Sequence, residues 1–317
     1  MKFSTRPLVF IGLTIFVYII YSVGVEKVVN SLLKLDPFYF LISLLFPIPT
    51  VILKSLRWKY IIKYLNVKYD FKQSMKIWLI GSTAGIITPG HIGDFFRSFY
   101  LHRDTKMTLG KSFSTTVLDR FFDIATLLIL SVFGILYILF TYSVSLFTPT
   151  ILVIFVFFAV FVIAVAKRNF VSFLLRPFFN SLIPNKYKNS LREGFDEFYK
   201  GLKIILEVKK LSILFAFSAV SWIISIVQGL IVLKAFGIDV PFLFLLSVFP
   251  IEVLFSLLPI TISGFGTREL TFIFFFSLIN IPVDITIAFS LISVFLIWLM
   301  VAVGFILWYR NPIKIEL

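Results

Sequence analysis

The sequence predicts an all-α polytopic membrane protein, with about six full transmembrane helices plus two broken, re-entrant segments and up to eight passes. Three observations predict it. Hydrophobic residues make up 59% of the 317 residues and 41 are Phe, more apolar surface than a soluble core absorbs. Apolar runs recur from end to end, at 8–25, 37–56, 77–96, 113–141, 149–166, 211–235, 241–262, 265–280 and 284–309. Two regions, Gly81–Arg97 and Leu258–Glu269, are broken by Gly and Pro and followed at once by charge, the pattern of discontinuous segments facing a midplane site.

The net charge of +14 would suggest nucleic acid in a soluble chain. Here the Lys and Arg lie in short loops between apolar runs, where they set topology and face anionic lipid. No aromatic-interleaved basic module of a nucleic-acid binder occurs. With no cysteine, disulfides and thiolate metal sites are excluded.

In chain order, run 8–25 follows Lys2 and Arg6 and reads as a retained first helix rather than a signal peptide. Run 37–56 then crosses inward. Between 54 and 76, Lys54, Arg57, Lys59, Lys63, Lys68, Lys72 and Lys76 face only Asp70; between 97 and 111, Arg97, Arg103, Lys106 and Lys111 face only Asp104. Both loops are expected in the cytoplasm. Segment 77–96 lies between them, so it enters and leaves by the same side, turning near Thr88-Pro89-Gly90. Irregular backbone at that depth is tolerated only where protein or a watery cavity covers it.

Run 113–141 crosses outward to the uncharged stretch 142–148, 149–166 returns, and 167–210 is cytoplasmic because ten Lys/Arg outnumber four Asp/Glu. Within it, Leu191, Phe195, Phe198, Leu202 and Ile205 recur at helical spacing and predict an amphipathic connector. Run 211–235 crosses outward to a loop where Lys234 and Asp239 cancel, and Arg310 and Lys314 place the C-terminus inside with the N-terminus. Run 284–309 suffices for that return. Segments 241–262 and 265–280 therefore enter and leave from outside, as a re-entrant hairpin or as two full passes, with Gly264-Phe265-Gly266 at the turn.

Residues 1–317 thus read as a single transmembrane domain of the cell membrane. Units 37–141 and 211–309 carry the same element order in opposite senses, joined through 167–210. Such an inverted repeat is a common build for secondary transporters.

Ionisable side chains inside apolar segments cost about 2.5–3.5 kcal/mol each at a helix centre, so their presence asks for a reason. Asp94 and Arg97 follow the first break, Asp119, Arg120 and Asp123 open run 113–141, Glu252 lies within 241–262, and Arg268 with Glu269 follows the second break. Asp119 and Asp123, four apart, share one helix face beside Arg120, which makes an internal ion-pair cluster easy. Gly90 and Gly93 at one break and Gly264 and Gly266 at the other allow close backbone approach. A half-helix N-terminus with Arg97 or Arg268 nearby suits a phosphate, and both arginines are expected to line one cavity. The acids would orient those arginines, or take up protons or a cationic head group. All of these residues form the expected substrate-binding set.

No catalytic residue, cofactor or metal site is expected. His91 and Asp94, three apart, are too few ligands in a chain with two histidines. Gly-rich phosphate loops ending in Gly-Lys-Ser/Thr, nucleophile elbows and His-Glu-x-x-His motifs do not occur.

Arg57-Trp58, Thr88-Pro89-Gly90-x-x-Gly93-Asp94-x-x-Arg97, Asp119-Arg120-x-x-Asp123 and Pro259-x-x-x-Ser263-Gly264-x-Gly266-Thr267-Arg268-Glu269 together resemble the lysylphosphatidylglycerol synthase/flippase transmembrane family. The likeness extends over roughly residues 5–310. It implies a membrane module similar to a lipid flippase, which in the family's best-known members precedes a soluble aminoacyl-transferase domain. This sequence ends at Leu317, just after its last helix, so lysyl transfer is not carried over and enzymatic activity is not expected. Stand-alone members also occur near lipid-linked glycan pathways. The expectation is a transporter or flippase-like protein that binds and translocates an anionic phospholipid or lipid-linked head group. Its expected partners are membrane lipid, a lipid-modifying or glycan-assembly enzyme and further copies of itself. A membrane transferase acting on a polyprenyl-linked sugar or phospholipid, and a non-transporting lipid-presenting scaffold, are the alternatives.

Overall fold

The computed structural model describes residues 6–142, 207–257 and 263–313, with isolated positions between 192 and 200. The expected span 149–166 and nearly all of the connector 167–210 lie outside the described residues. The described chain forms α1 (Arg6–Val23), α2 (Val25–Leu33), α3 (Pro37–Ser43), α4 (Pro47–Tyr64), α5 (Phe71–Ile86), a 3-10 turn (Pro89–Phe95), α6 (Phe96–Thr105) and α7 (Leu109–Tyr142). After the undescribed stretch come α8 (Val208–Ala235), α9 (Phe242–Ser256), α10 (Thr267–Ser277) and α11 (Val283–Arg310). Among the described residues there is no strand, and the all-α membrane class holds.

Four runs are long and apolar enough to cross a bilayer: α3 with α4 (28 residues), α7 (34), α8 (28) and α11 (28). At about 1.5 Å per residue each exceeds the roughly 30 Å hydrocarbon core. The first expected span is α1, which ends in a sharp bend. At Gly24, whose φ of 95° suits glycine, the chain bends by 79° from α1 into α2. Ser31 on α2 donates to Asp284 at the start of α11 (2.6 Å), which fastens the bend to the last helix.

Both broken segments are antiparallel hairpins. In the first, Asp70 caps α5 by accepting from the backbone N–H groups of Gln73 and Lys72, bonds that hold its pKa below the usual carboxylate value. The chain reverses at Thr88–His91, with Gly90 at φ 61°. Thr88 locks the reversal: its hydroxyl donates to the Ala84 carbonyl (2.9 Å) and accepts from the Gly93 N–H (2.7 Å). Glycines set the closeness of the arms, since a Cβ on Gly93 would lie 2.0 Å from the Ala84 carbonyl oxygen and one on Gly85 would lie 2.5 Å from the Asp94 carboxylate.

In the second hairpin, α9 and α10 pair through stacked rings, Phe249 with Phe272 (5.8 Å) and Phe244 with Phe276 (6.3 Å), and through Arg268 with Glu252 (3.3 Å). Its arms, of 15 and 11 residues, span about 22 and 16 Å and fall short of the core thickness. The tips of the hairpins touch, for Ser263 donates to the Ile86 carbonyl at the end of α5 (2.9 Å).

Basic loops gather on one face of the bundle. Tyr69 and Gln73 both donate to Asp104 (2.7 and 2.9 Å), Tyr100 donates to the Asn311 carbonyl (2.7 Å), and Lys210 lies over Tyr64 (5.6 Å). On the other face the Asp36 N–H donates to the Ala235 carbonyl (2.8 Å) and Lys234 lies over Tyr39 (5.6 Å). Helix α8 therefore runs antiparallel to α3 and α4. The long helices cross over between the hairpins. Gly134 of α7 packs against the Ser247 backbone of α9, whereas Gly304 of α11 packs against Thr83 of α5, each without room for a Cβ.

Run 37–56 proves shorter than the helix it predicts. Helix α4 continues to Tyr64, so Lys54, Arg57, Lys59 and Lys63, counted above as loop charges, belong to a spanning helix. The remaining Lys68, Lys72 and Lys76 still outnumber Asp70.

Gly93→Ala should lower stability in detergent by about 1–3 kcal/mol, because the new methyl meets backbone that cannot move aside. Gly237→Asn is the control, since Gly237 (φ +74°) has nothing within 4 Å of an added Cβ and Asn tolerates that conformation. Equal melting temperatures for both variants would contradict the close-packed hairpin.

Candidate functional site

A cavity of about 620 Å³ opens between the two hairpins, within the size range of small-molecule sites. Six ionisable or titratable residues line it: Lys54 from α4, His91 from the first reversal, Arg120 and Asp123 from α7, Glu252 from α9 and Arg268 from α10. Most of the remaining wall is apolar or aromatic, including Trp78, Phe121, Trp222 and Phe249.

Beneath one wall lies a buried ion-pair network. Arg57 donates to Asp119 (2.7 Å) and Asp123 (2.6 Å) and also to the Ser218 hydroxyl of α8. Arg97 pairs with Asp119 (2.8 Å) and stacks over Trp58 (5.1 Å). Arg120 pairs with Asp94 (2.6 Å) and reaches Asp123 (3.5 Å). Three arginines thus match three aspartates, tying α4, the first hairpin, α7 and α8 together. Arg57, Arg97, Asp94 and Asp119 are each 1% exposed or less, so none can be left unpaired without the penalty of a buried charge.

The placement of the expected residues divides accordingly. Arg268, Arg120, Asp123, Glu252 and Gly90 line the cavity. Arg97 was expected there with Arg268, but its stem lies against Gly81 and its guanidinium is held by Asp119 outside the cavity wall. Asp94 and Asp119 likewise lie behind the wall. Glu269 neither orients an arginine nor meets the cavity. It accepts from the Gly266 N–H (2.6 Å) and from Ser290 (2.6 Å), and so caps its own helix. That cap takes up the Gly266 N–H ahead of α10, and Thr88 takes up the Gly93 N–H in the first hairpin. Gly93 and Gly264 are packing positions, the latter against the Ser256 hydroxyl.

Side chains supply the donors instead. Trp78 Nε1, Arg120 Nε, Trp222 Nε1 and Arg268 Nη1 are buried N–H groups with no hydrogen-bond partner among the described residues, and all four belong to residues lining the cavity. Lys54 adds an ammonium 4.2 Å from the Trp222 ring centroid and pairs with no carboxylate among the described residues. Of the two lining carboxylates, Asp123 accepts from Arg57, and Glu252 accepts from Arg268 and Ser256 (2.6 Å) through one oxygen, Oε1. Such a site has surplus hydrogen-bond donors, and suits an acceptor-rich ligand. Sequence reasoning missed Trp78 and Trp222, and noted Lys54 only as a loop charge and Arg57 only as a loop charge and within a motif. The available signal was the spacing of Lys54 and Arg57, three apart on one helical face.

Asp119→Asn removes the charge and one of the two oxygens that hold two buried guanidiniums, and should lower stability by about 3–5 kcal/mol. Lys54→Gln should change it by less than about 1 kcal/mol, because no ion pair is broken. Thermal unfolding in one detergent compares them, and equal losses would contradict the division into a structural network and a free cavity cation.

Comparison with known proteins shows the family. Residues 8–304 match the family described as lysylphosphatidylglycerol synthase TM region. A UPF0104 membrane protein of Methanocaldococcus jannaschii is 26% identical over 86% of this chain and 84% of its own length. Another, of Methanothermobacter thermautotrophicus, is 21% identical over 96% and 94%, and one of Pyrococcus horikoshii is 21% identical over 96% of both. With the match extending from the first helix into the last, the chain belongs to the lysylphosphatidylglycerol synthase transmembrane-region family.

Proposed function

We propose that this protein is a lipid transporter of the flippase kind, binding the phosphate-bearing head group of an anionic phospholipid or lipid-linked precursor in the cavity between its two hairpins. The observation that carries the reading is the set of four unmet N–H donors on cavity-lining side chains beside the unpaired Lys54 ammonium. In a medium without water, unmet donors and an unpaired cation are costly, and a phosphate relieves both. Arg120 and Arg268, rather than Arg97, would grip the phosphate oxygens. Glu252 and Asp123 would hold those arginines in place.

The architecture supports movement as well as binding. Units 37–141 and 211–309 are proposed to be an inverted repeat, a reading supported by the antiparallel course of α4 and α8 and by the exchange of α7 and α11 onto each other's hairpins. Two such units can trade conformations about a shared site and open it to each face in turn. The basic face, carrying 66–70 and 105–108, is proposed to be cytoplasmic. The surrounding membrane is proposed to be the cell membrane.

In vesicles reconstituted with the full chain, Arg120→Gln and Arg268→Gln should each slow leaflet exchange of a fluorescent anionic lipid by about tenfold or more, a barrier change of about 1.4 kcal/mol. Arg→Lys should slow it less, since charge is kept and the two-pronged grip is lost. Arg97→Gln should reduce folded protein instead. Exchange that is undiminished without both Arg120 and Arg268, or absent in the wild type across a broad panel of anionic lipids, would contradict the proposal. For orientation, single cysteines introduced as Lys106→Cys and Asp239→Cys should react with an impermeant thiol reagent in sealed cells only at the second position.

A further inference from the structure

We infer that α2 (Val25–Leu33) lies flat in the bilayer interface, as an in-plane helix whose apolar edge meets the acyl chains on the membrane face opposite the basic loops. Gly24 sets its direction. It donates its N–H to the Ile20 carbonyl (3.0 Å) as the end of α1 and accepts from the N–H groups of Lys27 and Val28 (3.1 and 3.3 Å) as the start of α2, so the 79° bend falls at one residue. With 9 residues α2 is about 14 Å long, less than half of the roughly 30 Å hydrocarbon core, and does not complete a crossing.

Its level is set by the ends of spanning helices. Ser31 donates to Asp284 in the first turn of α11 (2.6 Å), and two residues beyond Lys34 the Asp36 N–H donates to the carbonyl of Ala235, the last residue of α8 (2.8 Å). Exposed aromatic residues flank α2 in the chain, Tyr21 at the end of α1 and Phe38 at the start of α3, and Tyr39 lies beneath Lys234. Tyrosines in such places mark the boundary between acyl chains and water.

Around its axis α2 has three sectors. One is packed on the bundle: Val28 and Ser31 are buried, with Val28 against Ile19 of α1 and Ile287 of α11. The second is an apolar edge of Val25, Val29 and Leu33, four apart on one side of the helix and 59, 44 and 78% exposed. The third carries Lys27, Asn30 and Lys34, all exposed. A helix held sideways by protein, with one free edge apolar and the other cationic and polar, matches the two media of a lipid interface. Its neighbours in the chain point to lipid as the occupant, since α1 and α3 also expose apolar side chains, Val17, Leu41 and Leu45, along segments that enter the membrane. So placed, α2 fixes the depth of the bundle, because sinking it would carry Lys27 and Lys34 into lipid and raising it would carry Val29 and Leu33 into water.

The test uses single cysteines introduced into the full-length, cysteine-free chain as Val29→Cys, Leu33→Cys, Lys27→Cys and Asn30→Cys, each spin-labelled in vesicles of phosphatidylglycerol and phosphatidylcholine. All four positions are exposed, so the variants should melt with the wild type. Labels at 29 and 33 should collide more with oxygen, which concentrates among acyl chains, and labels at 27 and 30 more with a water-soluble nickel chelate. Preference for the nickel chelate at all four would place α2 in water, and preference for oxygen at all four would place it within the hydrocarbon core; either overturns the inference. Labels at 29 and 33 shielded from both reagents would show the edge covered by protein, a second copy if Val29→Cys cross-links between chains, and would overturn it as well. None of these outcomes bears on the head-group site.

Discussion

Buried charge must be matched, and that constraint organises the rest of this structure. Arg57, Arg97 and Arg120 face Asp94, Asp119 and Asp123 across four parts of the chain, and every helix that contributes one of them is thereby fixed in register. Arg97 draws the returning arm of the first hairpin onto α7, and Arg57 draws α4 onto both α7 and α8. Hydrophobic contact alone would allow those helices to slide or rotate, because in lipid an apolar face is satisfied in any orientation. Ion pairs at 2.6–2.8 Å do not allow it.

Once the network is neutral, the remaining charge has a place and a meaning. Lys54 lies one helical turn from Arg57 yet outside the pairing, and Arg268 approaches from the opposite hairpin with one N–H unmet. A cavity walled largely by apolar and aromatic side chains between the two hairpins brings those groups together. Glycines make the geometry possible, since the arms of the first hairpin and both long-helix crossings rest backbone against side chain with no space for a methyl. The same close packing sets what each face of the site can reach.

Much of the fold was legible in the sequence. Apolar runs at 113–141, 211–235 and 284–309 fall within four residues of the ends of α7, α8 and α11, because long hydrophobic helices leave a continuous signal. Both breaks were visible as Gly and Pro within apolar stretches. Less legible was the end of α4, where Lys54 and Arg57 look like the start of a loop; Arg57 can lie that deep because partners 62 and 66 residues away supply the matching carboxylates. The roles of the arginines were misplaced for a related reason. Arg97 and Arg268 hold matching places after their breaks, but Asp119 lies close enough to capture Arg97, whereas Arg120 on the facing helix is left at the cavity wall. Glu269 looked like a site carboxylate and is a helix cap, a distinction that depends on whether the Gly266 N–H or open space lies beside it.

The central claim is that a lipid phosphate lies between the hairpins. The most direct measurement is a structure of the full chain in nanodiscs containing anionic lipid. Phosphate density should lie within hydrogen-bond distance of Arg120 and Arg268, with Lys54 beside it and the acyl chains leading out of the cavity. A cavity filled by acyl chain or by protein, with every head group at the membrane surface, would contradict the account.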